Sequence, residues 1–480
     1  MAQLSEALTT RGEQVTLLYL HALSEPALHA NALEQLRDAR RDRGFDTLAV
    51  DFDEVRTGPV RSRASRAVRS VLNPGEVGSL VSALADLLPR VPGALWPGAP
   101  ATIRRALATT TLFERCLRFF SATIRERAIE AMLVPEDVVG PFWPVAIRAA
   151  HDRGIPALVF PYTLANRQEA LQSLQSEPSF QTANNRIAAA RYPAWRATGS
   201  GYDLMRLPSD QVFAHEHLGI SPPDPWMMNS GFADAICVDS EASFDFFRTG
   251  GIPADRMRVV GSASQDEMFA IRQQRERHLA RLREALALEG SKPLLLLSGC
   301  PNQLEAKVPS CEFKTMNEVA SFVGESLGPL AAEYHLVVRP HPNFLAFGEM
   351  LTPFGFKVSP TPTAELIPLA DVFVAFASAT IRWAIACAVP TVNYDVFHYG
   401  YTDFAVVRGV ASVNGSSEFR ALVRSLTPNS TSRRNLADGA RRDSAYWGVI
   451  DGNSVERIAN EIDEARSRRK NMVKEQPQHA

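Results

Sequence analysis

Cysteine is scarce in this chain: there are five in 480 residues, Cys116, Cys237, Cys300, Cys311 and Cys387, and no CxxC pair. An odd number so widely scattered argues against a disulfide framework or a zinc site and suits a reducing compartment. Excess charge is missing too. With 51 basic and 53 acidic residues the net charge is −2, so nucleic acid is not an expected partner. No apolar run reaches the length of a membrane span, and the opening "MAQLSEALTTRGEQ" has no signal-peptide core. Also absent are a GxxxxGK[ST] phosphate loop, a GxGxxG after the first strand, a GxSxG elbow, an HExxH pair and any solenoid-type repeat. These absences lead to the expectation of a soluble, cytoplasmic protein without a resident cofactor.

What is there begins with apolar content. At 45% hydrophobic, the chain can build the cores of two or three domains. Residues 103–127, "IRRALATTTLFERCLRFFSATIRER", interleave arginines with Leu112, Phe113, Leu117, Phe119 and Phe120 in a helical pattern. Such a helix either packs on a core or lies on an anionic membrane. Packing is the first expectation, and a peripheral contact at the inner membrane is the second.

Apolar runs alternate with helical-period segments along the chain, the pattern of α/β architecture with parallel sheets. Strands are expected at 14–20, 46–50, 130–134, 156–160, 235–238 and 258–261, with helices such as 31–44 and 144–154 between them. The charged, helix-prone stretch 266–292 reads as a linker. A second alternating set follows, with strands at 293–298, 335–339, 356–358, 371–376 and 390–394 and helices near 315–332 and from about 380. The expected organisation is a first domain over 1–265, a linker over 266–292, a second domain over 293–440, and a C-terminal helix with a polar tail over 441–480. Two such halves would face each other across a cleft, where ligands usually bind.

In open parallel sheets ligands sit beyond the carboxyl ends of strands, so polar residues there are the candidates. "EYHLVVRPHPNF" (333–344) ends an apolar run in Arg339-Pro340-His341-Pro342, and the two prolines stiffen the backbone around the histidine. "LLLLSGCPNQ" places Ser298 and Gly299 at another strand end, where a glycine permits close backbone approach. "DVFVAFASATIRWA" places Ser378 and Thr380 between a strand and a helix start, where unpaired N–H groups favour a phosphate. His341 and these hydroxyls could grip a nucleotide phosphate from two sides, the histidine stabilising charge on the leaving group. Singly, each is more often a surface residue or an N-cap.

In the first half, "AMLVPEDVVGPFW" puts Glu136 and Asp137 after a strand. Either acid could deprotonate an acceptor hydroxyl, with Asp137 the first choice, or both could simply open the next helix. Tyr162, Thr163 and Arg167 in "VFPYTLANRQEA" are candidates for acceptor contact. "VNYDVFHYGYTDF", with Asp395, His398, Tyr399 and Tyr401, suits a sugar, a base or ordinary packing.

Two stretches carry a resemblance. "MMNSGFADAICVDSEASFDFFRTGGIPADRMRVVGSASQDEMF" (227–269), and "VVRPHPN" followed by "LADVFVAFASATIRWAIACAVPTVNYD", resemble bacterial surface-polysaccharide glycosyltransferases of GT-B fold. A His-Pro motif followed by a Ser/Thr motif is shared with CMP-sugar transferases acting on Kdo or sialic acid. The likeness covers roughly residues 130–400. It implies two Rossmann-like domains, the second holding a nucleotide-sugar donor through Ser298, Gly299, Arg339, His341, Ser378 and Thr380. It implies that the first holds a saccharide or lipid-linked glycan acceptor and presents Glu136 or Asp137 as base, without a metal. CMP-sugar stands ahead of UDP-sugar as the donor. "EDVVG" is not the compact acidic motif of sialyltransferases, however, and "SAT" is looser than their paired hydroxyls. The alternatives are an enzyme similar to UDP-GlcNAc 2-epimerases or CDP-glycerol transferases, and a non-catalytic scaffold that binds a nucleotide sugar.

Overall fold

The computed structural model describes residues 2–21, 46–51, 99–161, 164–165, 167–302, 304, 311–400 and 402–475. The chain forms two compact α/β units. One holds Met1–Cys237, Phe246–Arg258 and Ala459–Ala480; the other holds Val238–Asp245 and Val259–Ile458.

In the first unit, β1 (Thr16–His21) and β2 (Asp46–Asp51) pair in parallel. The expected helix over 31–44 lies outside the described residues. β3 (Met132–Val134), β4 (Ala157–Val159), β7 (Ala235–Val238) and β8 (Met257–Val259) form a sheet in the order β3-β4-β7-β8. The pairs β3–β4 and β4–β7 are parallel. Between β4 and β7 runs an antiparallel hairpin of β5 (Arg196–Gly199) and β6 (Tyr202–Met205), absent from the sequence reading. Its strands are only four residues each, too short for an apolar period to register.

The amphipathic segment is a 28-residue helix, Ala99–Glu126. Its stripe of Ala106, Thr110, Phe113, Cys116, Phe120 and Ile124 is buried, while Arg104, Arg105, Arg115, Arg118 and Arg125 face outward. This spacing is that of a helix packed on a core, and the apolar face is already covered within the unit. No helix among the described residues is long and apolar enough to cross a membrane.

The second unit is built on six parallel strands: β9 (Leu294–Ser298), β10 (His335–Arg339), β11 (Lys357–Val358), β12 (Val372–Ala375), β13 (Thr391–Tyr394) and β14 (Val410–Val413). Their near-continuous apolar runs follow from burial on both faces. Leu295 and Leu297 of β9 pack into one core cluster, and Leu294 and Leu296 into another. The same alternation divides Leu336 and Val338 from Val337, and Val372 and Val374 from Phe373 and Ala375. β14 was not anticipated, because "VASV" alternates weakly and is partly exposed.

The sheet order is β11-β10-β9-β12-β13-β14. The chain enters at β9 in the middle, works outward to β11, returns to β12 beside β9, and works outward the other way. Counted from β9 this is the 3-2-1-4-5-6 order of doubly wound nucleotide-binding sheets, and its direction reverses between β9 and β12.

Candidate functional site

At that reversal the carboxyl ends of three neighbouring parallel strands, β10, β9 and β12, lie side by side. Parallel pairing sets Arg339 of β10 opposite Ser298 of β9. Gly299 follows, and its N–H donates to the Arg339 carbonyl at 2.7 Å. A Cβ on Gly299 would stand 2.7 Å from both the His341 nitrogen and Pro340 Cα. The glycine is thus required, though for a different reason than expected: the chain's own Pro340–His341 backbone fills the space. Proline rigidity and this close contact together fix where His341 emerges from β10.

His341 is half-buried, and burial lowers its pKa, partly offset by its contact with the Asn343 side chain. His341 Nδ1 lies 2.5 Å from Asn343 Oδ1, which can only accept, and 3.2 Å from the Asn343 backbone N–H. Asn343 therefore engages Nδ1 and leaves Nε2 as the ring nitrogen for a ligand, a donor to an anionic oxygen in the imidazolium form. Asn343 went unnoticed in the sequence, although "HPN" placed it two residues from the histidine.

Beyond β12, Ala377 has φ +45°, a left-handed conformation that costs a non-glycine residue about 1 kcal/mol. Asn393 of β13 holds the turn, accepting the Ala377 N–H at 2.9 Å. The Ser378 and Thr380 hydroxyls lie 2.9 Å apart, and Ser378 Oγ accepts the Thr380 N–H at 3.3 Å. The helix that follows, Ile381–Ala386, has only six residues, so its dipole is small. The hydroxyl pair, more than a helix terminus, gives this turn its polar character.

The turn is also held from within. Arg382 is 5% exposed, its Nη1 lying 3.4 Å from the Asp239 carboxylate and from Ser243 Oγ, while its Nε reaches the Ala379 carbonyl at 3.4 Å. Neither Asp239 nor Arg382 was singled out as a site residue, because residues 143 apart in sequence give no pairing signal. Arg339 donates to the Ser359 carbonyl at 3.5 Å, toward β11 and away from β12.

No family model matches the sequence, and no curated protein does. Similar solved structures include a UDP-GlcNAc 2-epimerase from Neisseria meningitidis bound to UDP-GlcNAc, with 10% identity, 94% of this chain and 99% of that chain covered, and a TM-score of 0.45. Another is a glycosyltransferase from Rickettsia africae, with 10% identity, coverage of 94% and 99%, and a TM-score of 0.41. A third is the wall teichoic acid polymerase TagF, with 13% identity and a TM-score of 0.38; 49% of this chain is aligned, and it spans 57% of that one. Scores of this size carry neither an activity nor a residue correspondence to this chain.

In the first unit the two acids differ sharply. Glu136 is half-buried, whereas Asp137 is 4% exposed. The Asp137 backbone N–H donates to Asn229 Oδ1 at 2.7 Å, and its carbonyl accepts the Asn229 N–H at 3.0 Å. Its carboxylate turns inward onto Gly231 and accepts the Ala233 N–H at 3.4 Å, in the segment leading into β7. Burial pushes its pKa up to about 6. The 229–233 loop thus screens Asp137, and Glu136 is the acid with more solvent access. Nearby His215, fully buried, accepts the Gly140 N–H on Nε2 at 3.0 Å, and burial lowers its pKa to about 4. That makes it a neutral structural histidine.

Tyr162 and Thr163 lie outside the described residues, as does Tyr401. Arg167 opens the helix Arg167–Leu174, exposed, with its guanidinium 5.7 Å from the centre of the Trp226 ring and 3.8 Å from the Asp224 carboxylate.

Proposed function

We propose that this protein is a metal-independent glycosyltransferase that moves a sugar from a nucleotide-sugar donor to a hydroxyl of a saccharide or lipid-linked glycan. The donor nucleotide binds the second unit, CMP ahead of UDP. The observation that carries the reading is the strand order: β10, β9 and β12 lie side by side in parallel at the reversal point of a 3-2-1-4-5-6 sheet, and His341, Ser298–Gly299 and the Ser378–Thr380 hydroxyl turn follow their carboxyl ends. His341 donates Nε2–H to a phosphate oxygen and stabilises the charge that grows on the nucleotide as the glycosidic bond breaks. Ser378 and Thr380 supply hydroxyl donors from β12. In the first unit Glu136 or Asp137 takes the acceptor proton: Glu136 from its more open position, Asp137 once the 229–233 loop yields.

Thermal unfolding of the wild type and of His341→Ala with CMP, CDP, UDP, GDP and TDP tests this. One nucleotide should stabilise the wild type and fail to stabilise the variant. Turnover of the matching sugar nucleotide should fall by about two orders of magnitude in His341→Ala and persist in EDTA. A wild type that no nucleotide stabilises, even at millimolar concentration, would leave the transfer reading without its donor site.

A further inference from the structure

Behind the Ser378–Thr380 turn lies a buried polar cluster. Arg382 and Asp239 are 5% and 9% exposed, and Ser240, Ser243 and Gln265 are buried more deeply still. One carboxylate oxygen of Asp239 accepts the hydroxyls of Ser240 at 3.1 Å and Ser243 at 2.5 Å. The other faces Arg382 Nη1 at 3.4 Å. The Asp239 carbonyl accepts Gln265 Nε2 at 3.1 Å, so the acid is fixed at its backbone as well as at its carboxylate. All five residues belong to the second unit.

Arg382 joins this cluster to the turn. Its Nη1 meets Asp239 and Ser243, while its Nε donates to the carbonyl of Ala379, the residue between the two hydroxyls. The other end of the turn is held by Asn393, which accepts the Ala377 N–H. The stretch Phe376–Arg382 contains neither glycine nor proline. Its left-handed residue, Ala377, is therefore held in place by partners and not by its own backbone preference. One clamp comes from β13 and the other from Arg382, which Asp239 aims.

A buried ion pair is a poor source of stability. Desolvation of both charges cancels much of their attraction, and apolar residues of similar size often serve as well. What the pair adds is direction: the rigid guanidinium fork sets the turn carbonyl at a fixed place relative to the acid. We propose that Asp239, acting through Arg382, is the positioning residue of the Ser378–Thr380 turn, and that the pair sets affinity for a nucleotide phosphate more than it sets stability. Naming that ligand rests on the transfer reading above; the clamp on the turn rests on the hydrogen bonds alone.

The test compares the wild-type chain with Asp239→Asn/Arg382→Met. Asparagine keeps an acceptor for both serines, and methionine fills the guanidinium's place without its fork. The ligand-free melting temperature should stay within about 3 °C of the wild-type value. Calorimetry with CMP and UDP should show about tenfold weaker binding of whichever nucleotide the wild type takes. Amide hydrogen exchange should quicken over residues 377–383 while β12 and β13 stay protected. A lowered melting temperature with unchanged affinity would make the pair a structural one and overturn the proposal, as would unchanged exchange in the turn. Should the double variant fail to fold, Arg382→Lys and Ser243→Ala serve instead. Lysine keeps the charge that Asp239 meets but cannot also hold the Ala379 carbonyl. Each should weaken nucleotide binding about threefold or more, and unchanged affinity in both would overturn the proposal. A wild type that binds neither nucleotide at millimolar concentration would remove the transfer reading. Quickened exchange of the turn in the variants would then keep the clamp, and unchanged exchange would remove it as well.

Discussion

Asp137 and His215 titrate with opposite consequences for the first unit. Asp137 has a folded pKa of about 6 against an ordinary value of 3.8, so its contribution to stability is full below pH 3.8 and is lost as pH rises through about 6. His215 has a folded pKa of about 4 against 6.5, so its contribution is full above pH 6.5 and is lost as pH falls through about 4. Between these limits the two slopes oppose and flatten the wild-type profile. Asp137→Asn keeps an acceptor for the Ala233 N–H and removes the buried charge. At pH 8 the variant should be more stable by about 1–3 kcal/mol, an advantage that shrinks toward pH 4 as Asp137 protonates. Its own stability should then fall more steeply on acidification, because His215 acts unopposed. Urea unfolding at pH 4.5, 6 and 8 measures this, and parallel profiles for the two proteins would show that the Asp137 pKa does not differ between the folded and unfolded chain. The sequence showed that acids stood after β3; it could not show which way they turned. That depended on Asn229 and Gly231, more than 90 residues away in the chain.

At the scale of elements, legibility followed burial. β9, β10, β12 and β13 were readable because both faces of each are covered, leaving uninterrupted apolar runs that stop where polar chemistry starts. The β5–β6 hairpin and β14 were not, since four partly exposed residues leave too little pattern. The strand ends themselves were legible as Ser298, His341 and Ser378, while the groups that orient them were not: Asn343 and Asn393 are ordinary polar residues until the chain folds. Gly299 joins both levels. With a Cβ 2.7 Å from the His341 nitrogen and Pro340 Cα, Gly299→Ala must push the end of β9 away from β10. The cost should be about 1–3 kcal/mol of stability. Because the displaced backbone is the one that aims His341, nucleotide-induced stabilisation should also shrink. Melting temperatures with and without nucleotide separate the two effects, and a variant whose nucleotide shift matched the wild type would uncouple Gly299 from the site.

At the scale of the whole molecule, the chain is not divided by sequence order. The helix Ser454–Glu475 begins in the second unit, where the Ser454 and Val455 N–H groups each donate to the Asp266 carboxylate at 2.8 Å. From Ala459 onward it belongs to the first. There Ile462 and Ala465 are buried, Glu461 takes Arg258 at 3.5 Å together with Arg468, and Arg469 reaches Asp234 at 3.4 Å. Asp234 in turn binds His151 Nε2 and the Ala157 N–H, each at 2.8 Å, so the last turns of the chain complete a polar network at the start of β4. Ending the chain after Ile458 strips the first unit of Arg469 from that network and of three core residues, Ala459, Ile462 and Ala465, and leaves Arg258 without Glu461. The Arg258 side chain is 37% exposed, so water takes over its charge and the lost core contacts carry most of the cost. The truncated protein should therefore show a first unit open to limited proteolysis at neutral pH, while nucleotide still stabilises the second unit. If the truncation melted as one transition at the wild-type temperature, the terminal helix would be dispensable and the first unit would hold itself together from residues before 259 alone.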